Sequence, residues 1–126
     1  MHTTSDRPTD TQPRCQRCAA RLSCVIGRLP VATQERLDPL IREKPFRKGE
    51  QLQAEGSVPA VVRTVKLGTI MLTRKGPDQR AHPVALAGRG HLMGLWGLLD
   101  GDTLLGGEAL SAGRVCELPA LSLIHI

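Results

Sequence analysis

The sequence predicts a mainly β domain, a barrel or jelly roll, entered through a cysteine loop and one short helix. Three observations predict it. From residue 45 onward glycine recurs every few residues, at Gly49, Gly56, Gly68, Gly76, Gly88, Gly90, Gly94, Gly97 and Gly101, with short apolar or alternating runs between. Short strands at regular spacing with turn signals are the sequence pattern of such folds. Aromatic residues are nearly absent: Phe46 and Trp96 stand alone among 126 residues, so the core must be built from Leu, Val, Ile and Met. The third observation is a cysteine cluster placed ahead of the first strand-like run. The length suffices for one domain with its own core.

The elements follow in order. Residues 1–13 are Thr, Asp, Pro and Gln-rich with no apolar face, and are expected to be a disordered tail. Residues 14–28 form the cysteine loop, and residues 29–120 the β-roll. Residues 31–44 read as a short amphipathic helix with Leu37, Leu40 and Ile41 on one side and Thr33 placed to cap it. Pro39 lacks an N–H and clashes with the preceding turn, so a kink or two shorter turns are expected there. Residues 61–65 and 69–73 read as strands, and Lys75-Gly76-Pro77-Asp78 as a hairpin tip. Val115-Cys116-Glu117-Leu118 alternates and reads as a late strand, which puts Cys116 on a sheet. Trp96 is expected in the core.

Composition excludes some functions. The formal charge is +5 and the isoelectric point about 9.5. A basic balance fits nucleic-acid or acidic-surface partners, yet no basic stretch is interleaved with aromatics and no helix-turn-helix pattern is visible. No apolar run approaches membrane-spanning length, so no membrane partner is expected. No signal segment is recognisable at the start, and a cytoplasmic location with reduced thiols is expected. No Ser-His-Asp or Cys-His-Asp arrangement is evident, so no enzyme is expected. His82, beside Pro83, reads as a loop residue and His91 as a turn residue.

The cysteines carry the chemistry. Cys15, Cys18 and Cys24 form a Cys-x2-Cys-x5-Cys cluster, and Cys116 stands far downstream. Three local ligands and one remote ligand hold a metal centre only if the fold returns Cys116 to the N-terminal segment. Zinc takes four thiolates in a tetrahedron, usually from two paired knuckles, of which only one is present here. An iron–sulfur cluster also takes four thiolates and tolerates an uneven spread. Spacing alone leaves zinc and iron–sulfur level, with metal-free reduced thiols as a third reading. Arg14, Arg17, Arg21, Arg28 and Arg114 lie near the cysteines, and cations favour thiolate over thiol.

Several motifs together resemble a known family. Arg47-Lys48-Gly49-Glu50-Gln51-Leu52-Gln53-Ala54-Glu55-Gly56 is similar to the first-hairpin signature of the cyclic-nucleotide-binding jelly roll. Leu67-Gly68-Thr69-Ile70, Gly90-His91-Leu92-Met93-Gly94-Leu95 and Arg114-Val115-Cys116-Glu117-Leu118-Pro119 resemble its later turns and closing strand. With the cysteine set, the chain resembles the sensory domain of the FNR branch of Crp/Fnr transcription regulators. That resemblance implies a double-stranded β-helix in which Cys15, Cys18, Cys24 and Cys116 ligate a [4Fe–4S] cluster that senses oxygen or redox state. In the family the intact cluster favours a homodimer that binds promoter DNA through a C-terminal helix-turn-helix and acts on RNA polymerase.

Two departures from the pattern shape the expectations. Where cyclic-nucleotide binders carry a ribose-binding Glu, this chain has Leu95, and the phosphate-binding Arg-Ser pair falls near Gly106 and Gly107. A phosphate without a cation or hydroxyl is poorly held, so no cyclic nucleotide is expected. Residues 121–126 read as a non-native tail, so the DNA-binding part is expected only in a full-length parent. Ser23 beside the third cysteine leaves the degree of oxygen sensitivity open. The alternative to the sensor is a structural zinc-stabilised β-domain that mediates protein contacts.

Overall fold

The computed structural model describes residues 13, 15, 18, 24–57, 60–94 and 105–120. The expectations for Arg14, Arg17, Arg21, Ser23, Leu95, Trp96 and residues 1–12 and 121–126 lie outside these residues.

Two four-stranded antiparallel sheets face each other, as the glycine-punctuated pattern predicts. The strands are β1 (Arg42–Phe46), β2 (Gln51–Gln53), β3 (Val61–Leu67), β4 (Ile70–Lys75), β5 (Ala81–Ala87), β6 (Leu92–Met93), β7 (Gly106–Ala109) and β8 (Gly113–Pro119). One sheet runs β1-β8-β3-β6 and the other β2-β7-β4-β5. Non-consecutive neighbours in both sheets give the crossovers of a jelly roll.

The β-branched residues of β3 and the aliphatic run of β4 suit pleated, half-buried surfaces. Between the sheets, Val65, Ile70, Leu72, Met93 and Val115 pack around Phe46, an almost wholly aliphatic core. Gly68 turns the chain from β3 to β4 at φ +93°. A Cβ there would lie 2.8 Å from the Ala112 carbonyl oxygen, so both conformation and space require glycine.

The period of two along β8 sends alternate side chains to opposite faces. Val115 enters the core between the sheets. Cys116 and Leu118 face the other way and pack with Cys15, Cys24, Ile26, Leu37 and Ile41. This second cluster lies on the outer face of the β1-β8-β3-β6 sheet, under the N-terminal segment and the helix. The cysteine-bearing segment is therefore a third layer on the sandwich.

Several expectations need correction. The helix, α1 (Val31–Leu37), ends well before residue 44. Pro39 cannot supply the next helical N–H, and the chain tightens into one turn, Asp38–Leu40, before Ile41 becomes extended. Residues 42–44 belong to β1 and pair with Val115 to Glu117. Pro30, not Thr33, is the cap residue; its carbonyl accepts the Thr33 and Gln34 N–H groups. Leu37 and Ile41 are buried, but Leu40 is 41% exposed on the tight turn. Residues 47–56 do not form a hairpin: β1 pairs with β8 and β2 with β7, so they turn a corner between sheets. His82 lies in β5, where Pro83 is tolerated because β5 is an edge strand and its register with β4 shifts there. The tip at residues 75–78 does join β4 to β5. Among the described residues no helix is long and apolar enough to cross a membrane.

Candidate metal centre

Cys116 lies near the middle of β8, between Glu43 on β1 and Thr64 on β3, each directly opposite it. Strand-opposed residues share a face, so Cys116 and Thr64 stand on one wall of a recess on the outer sheet face, with Glu43 beside Cys116. The N-terminal segment forms the other wall. Cys15 and Cys24 are buried and Cys18 is half-buried. The Cys18 N–H donates to the Cys15 carbonyl at 3.4 Å, which turns the two cysteines together. After Cys24 comes the tight turn Ile26–Arg28.

One cavity, of about 20 Å³, is lined by Cys15, Cys18, Cys24 and Cys116 together with Ile26, Gly27, Thr64, Val65 and Lys66. All four sequence-predicted ligands thus meet at one place. No disulfide joins them. Among the described residues no three His, Cys, Asp or Glu side chains converge on a single point. The cysteines share walls rather than a centre.

The donor chemistry suits a thiophilic metal group. The volume is that of a water-sized space. A larger group requires the wall to open, and the wall that carries Cys15, Cys18, Cys24, Ile26 and Gly27 belongs to no strand among the described residues.

α1 braces this wall. Gln34 is fully buried. Its Nε2 donates to the Leu29 carbonyl at 2.7 Å and to the Gly27 carbonyl at 3.2 Å. A buried amide with two such bonds fixes the course of the chain just after Cys24.

Burial is the largest influence on the thiols of Cys15 and Cys116. Burial, reinforced by the neighbouring Cys24, Cys116 and Cys18, pushes the Cys15 thiol up to about 12. Burial also raises Cys116, to about 11, with Glu43 adding to the rise and Lys66 opposing it. Both are neutral thiols near pH 7, and ligation must displace their protons. Arg114 does not serve Cys116 directly; its Nε donates to Glu43. Arg28 is exposed.

Among the described residues the cation that lines the cavity is Lys66, which sequence reasoning missed. Its Nζ donates to Glu43 Oε1 at 2.8 Å. That bond holds Lys66 above its ordinary value. The only sequence signal was a lysine two residues after Thr64 in a mixed strand run that also carries Arg63. Gly106 and Gly107 open β7, where a Cβ on Gly106 would lie 2.6 Å from Thr73 Oγ1.

No family model matches the chain, and no curated protein matches it. Solved structures do. The chain is similar to the regulatory domain of Toxoplasma gondii PKA with cAMP, at TM-score 0.75 and 19% identity over 85% of this chain and 42% of that one. It is similar to the regulatory subunit of a cAMP-independent protein kinase A from Trypanosoma brucei, at TM-score 0.69 and 15% identity over 73% and 34%. It is also similar to the N-terminal domain of a transcriptional regulator from Streptomyces coelicolor A3(2), at TM-score 0.68 and 26% identity over 79% and 70%. The chain spans less than half the length of the two kinase-associated chains. The fold is that of cyclic-nucleotide-binding regulatory domains, and one protein that shares it is a transcriptional regulator.

Proposed function

We propose that this chain is a non-enzymatic sensory domain of an FNR-like transcription regulator, in which Cys15, Cys18, Cys24 and Cys116 ligate a [4Fe–4S] cluster. The observation that carries the reading is the single cavity lined by all four cysteines, three from the N-terminal layer and one from β8. When bound, the cluster supplies a group that reacts with oxygen or other oxidants and is lost on oxidation. The chain's own residues convert that loss into shape. Ligation ties the layer that carries Cys15, Cys18 and Cys24 to the sheet that carries Cys116. Without ligation Cys15 and Cys116 would be buried neutral thiols, and the described part of that layer would be held by packing and by Gln34. A cytoplasmic setting keeps the thiols reduced and available. Promoter DNA, RNA polymerase and a homodimer partner belong, in this proposal, to the full-length parent.

The same donors suit zinc, and the small volume of the cavity favours a single ion. Cluster thiolates bind separate irons, whereas zinc gathers four sulfurs at about 2.3 Å from one atom, so metal and sulfide counts separate the two. No cyclic nucleotide is assigned. Gly106 and Gly107 offer neither cation nor hydroxyl to a phosphate.

Protein purified without oxygen tests the reading. About four irons and four acid-labile sulfides per chain, with a brown colour that bleaches in air, support it. One zinc and no sulfide would leave the fold intact and refute sensing. A rise in melting temperature with roughly millimolar cAMP would refute the exclusion of nucleotide.

A further inference from the structure

The register between β3 and β8 shifts between Val65 and Leu67, so Lys66 has no opposite residue on β8. Lys66 follows Thr64 by two residues, and Thr64 lies opposite Cys116, so the two share the outer face of the sheet. Here Lys66 lines the cysteine cavity, and its ammonium donates to Glu43 Oε1. Glu43 lies directly opposite Cys116 on the neighbouring strand. Its other carboxylate oxygen accepts from Arg114 Nε. Two cations therefore share one anion beside the remote cysteine, and the group keeps one positive charge in excess. Lys66 and Glu43 are only 26% and 25% exposed, so water screens them incompletely.

An ion pair between two residues could be a strut and nothing more. Its position argues otherwise. A tetrathiolate cluster carries a net charge of about −2 and becomes more negative on reduction, and nearby fixed charge is one of the terms that set its potential. We propose that the Lys66–Glu43–Arg114 group is a charge-setting element for the centre: its excess positive charge favours the reduced, more anionic cluster and holds the reduction potential up. This rests on the iron–sulfur reading above.

The charge count makes the prediction signed. Lys66→Gln removes the excess and lowers the potential. Glu43→Gln doubles the excess and raises it. The double variant restores the original count and returns the potential close to that of the unaltered protein, and Lys66→Arg leaves it there. A strut predicts something different, because both single variants break the same ion pair and move the potential the same way or not at all.

The test is a redox titration of the full chain purified without oxygen, monitored by the spin signal of the reduced cluster, after iron and sulfide have been counted. Opposite shifts of the two single variants support the inference. Equal or same-direction shifts in variants with full iron and sulfide overturn it and leave the cluster reading standing. If Lys66→Gln holds no cluster, Glu43→Gln decides alone: a potential above the unaltered protein supports the inference, and one at or below it overturns it. Zinc without sulfide in the unaltered protein overturns both.

Discussion

Replacing Gln34 with methionine isolates the brace under the cysteine wall. The shapes are similar, so the change removes two hydrogen bonds and little volume. Nε2 donates at 2.7 Å to Leu29 and at 3.2 Å to Gly27 from a side chain with 0% exposure. Each bond contributes about 0.5–1.5 kcal/mol net, and a buried carbonyl left without a donor costs about 1–3 kcal/mol. One term opposes this. Gln34 Oε1 is buried with no partner among the described residues, and its removal returns about 1 kcal/mol. The balance is a loss of about 2 kcal/mol, a large share of the ~5–15 kcal/mol that holds a domain. For a chain of 126 residues this lowers the melting temperature by roughly 6–10 °C. Urea unfolding measures it, as a lower midpoint with an unaltered slope. The bonds hold the segment just after Cys24, so the variant should also lose its metal group faster. A stability loss under about 0.5 kcal/mol would refute the claim that the amide carries this wall.

The remaining predictions concern space and charge. Gly113→Ala places a Cβ 2.1 Å from the Leu67 carbonyl oxygen and 2.5 Å from Phe46 Cζ, contacts that only a backbone shift relieves. It should destabilise by about 3 kcal/mol or more, whereas Gly88→Ala, which meets nothing within 4 Å, should stay within about 0.5 kcal/mol. Equal urea midpoints for the two would contradict the packing assigned to the end of β8. The Lys66 hydrogen bond, with that from Arg114, holds the Glu43 carboxyl below its ordinary value of 4.5. A depressed carboxylate contributes stability that is present above its unfolded value and lost as pH falls through its folded value. Glu43→Gln should therefore be about 1 kcal/mol less stable near pH 7, and the gap should begin to shrink as pH falls below 4.5 and close as it passes through the lower folded value. A gap that persists in acid would show that the ion pair is not its source.

Much of the fold was legible because its signals are local. Val61-Val62-Arg63-Thr64-Val65 and Ile70-Met71-Leu72-Thr73 carry strand composition, and Val115 to Leu118 carries the period of two that separates Val115 from Cys116. Pro39 announced the end of the helix, though not that the chain would pass directly into β1.

What was not legible depends on distant partners. β1 has one buried residue in five and is held by β8, more than sixty residues away, so its composition resembles a polar helix end. β7 begins with two glycines and is a strand only because β2 and β4 flank it. The same limit applied at the site. Four cysteines could be named from spacing, but the cation could not. Lys66 reaches the cavity because β3 pairs with β8 and sets Thr64 opposite Cys116, and Arg114, two residues before Cys116, is drawn to Glu43 instead. Burial sets Cys15 and Cys116 first, and burial depends on the packing of the whole fold rather than on neighbours in sequence.

The central claim is that Cys116 completes a ligand set begun far away in the N-terminal layer. Acid-labile sulfide per chain in Cys116→Ala, purified without oxygen beside the unaltered protein, tests it most directly. The account predicts about four sulfides in the unaltered chain and less than about one in the variant, with folded β structure retained in both. A variant that keeps its full sulfide and the same visible spectrum would show that the strand cysteine is not a ligand, and the coupling between centre and sheet would have no physical basis.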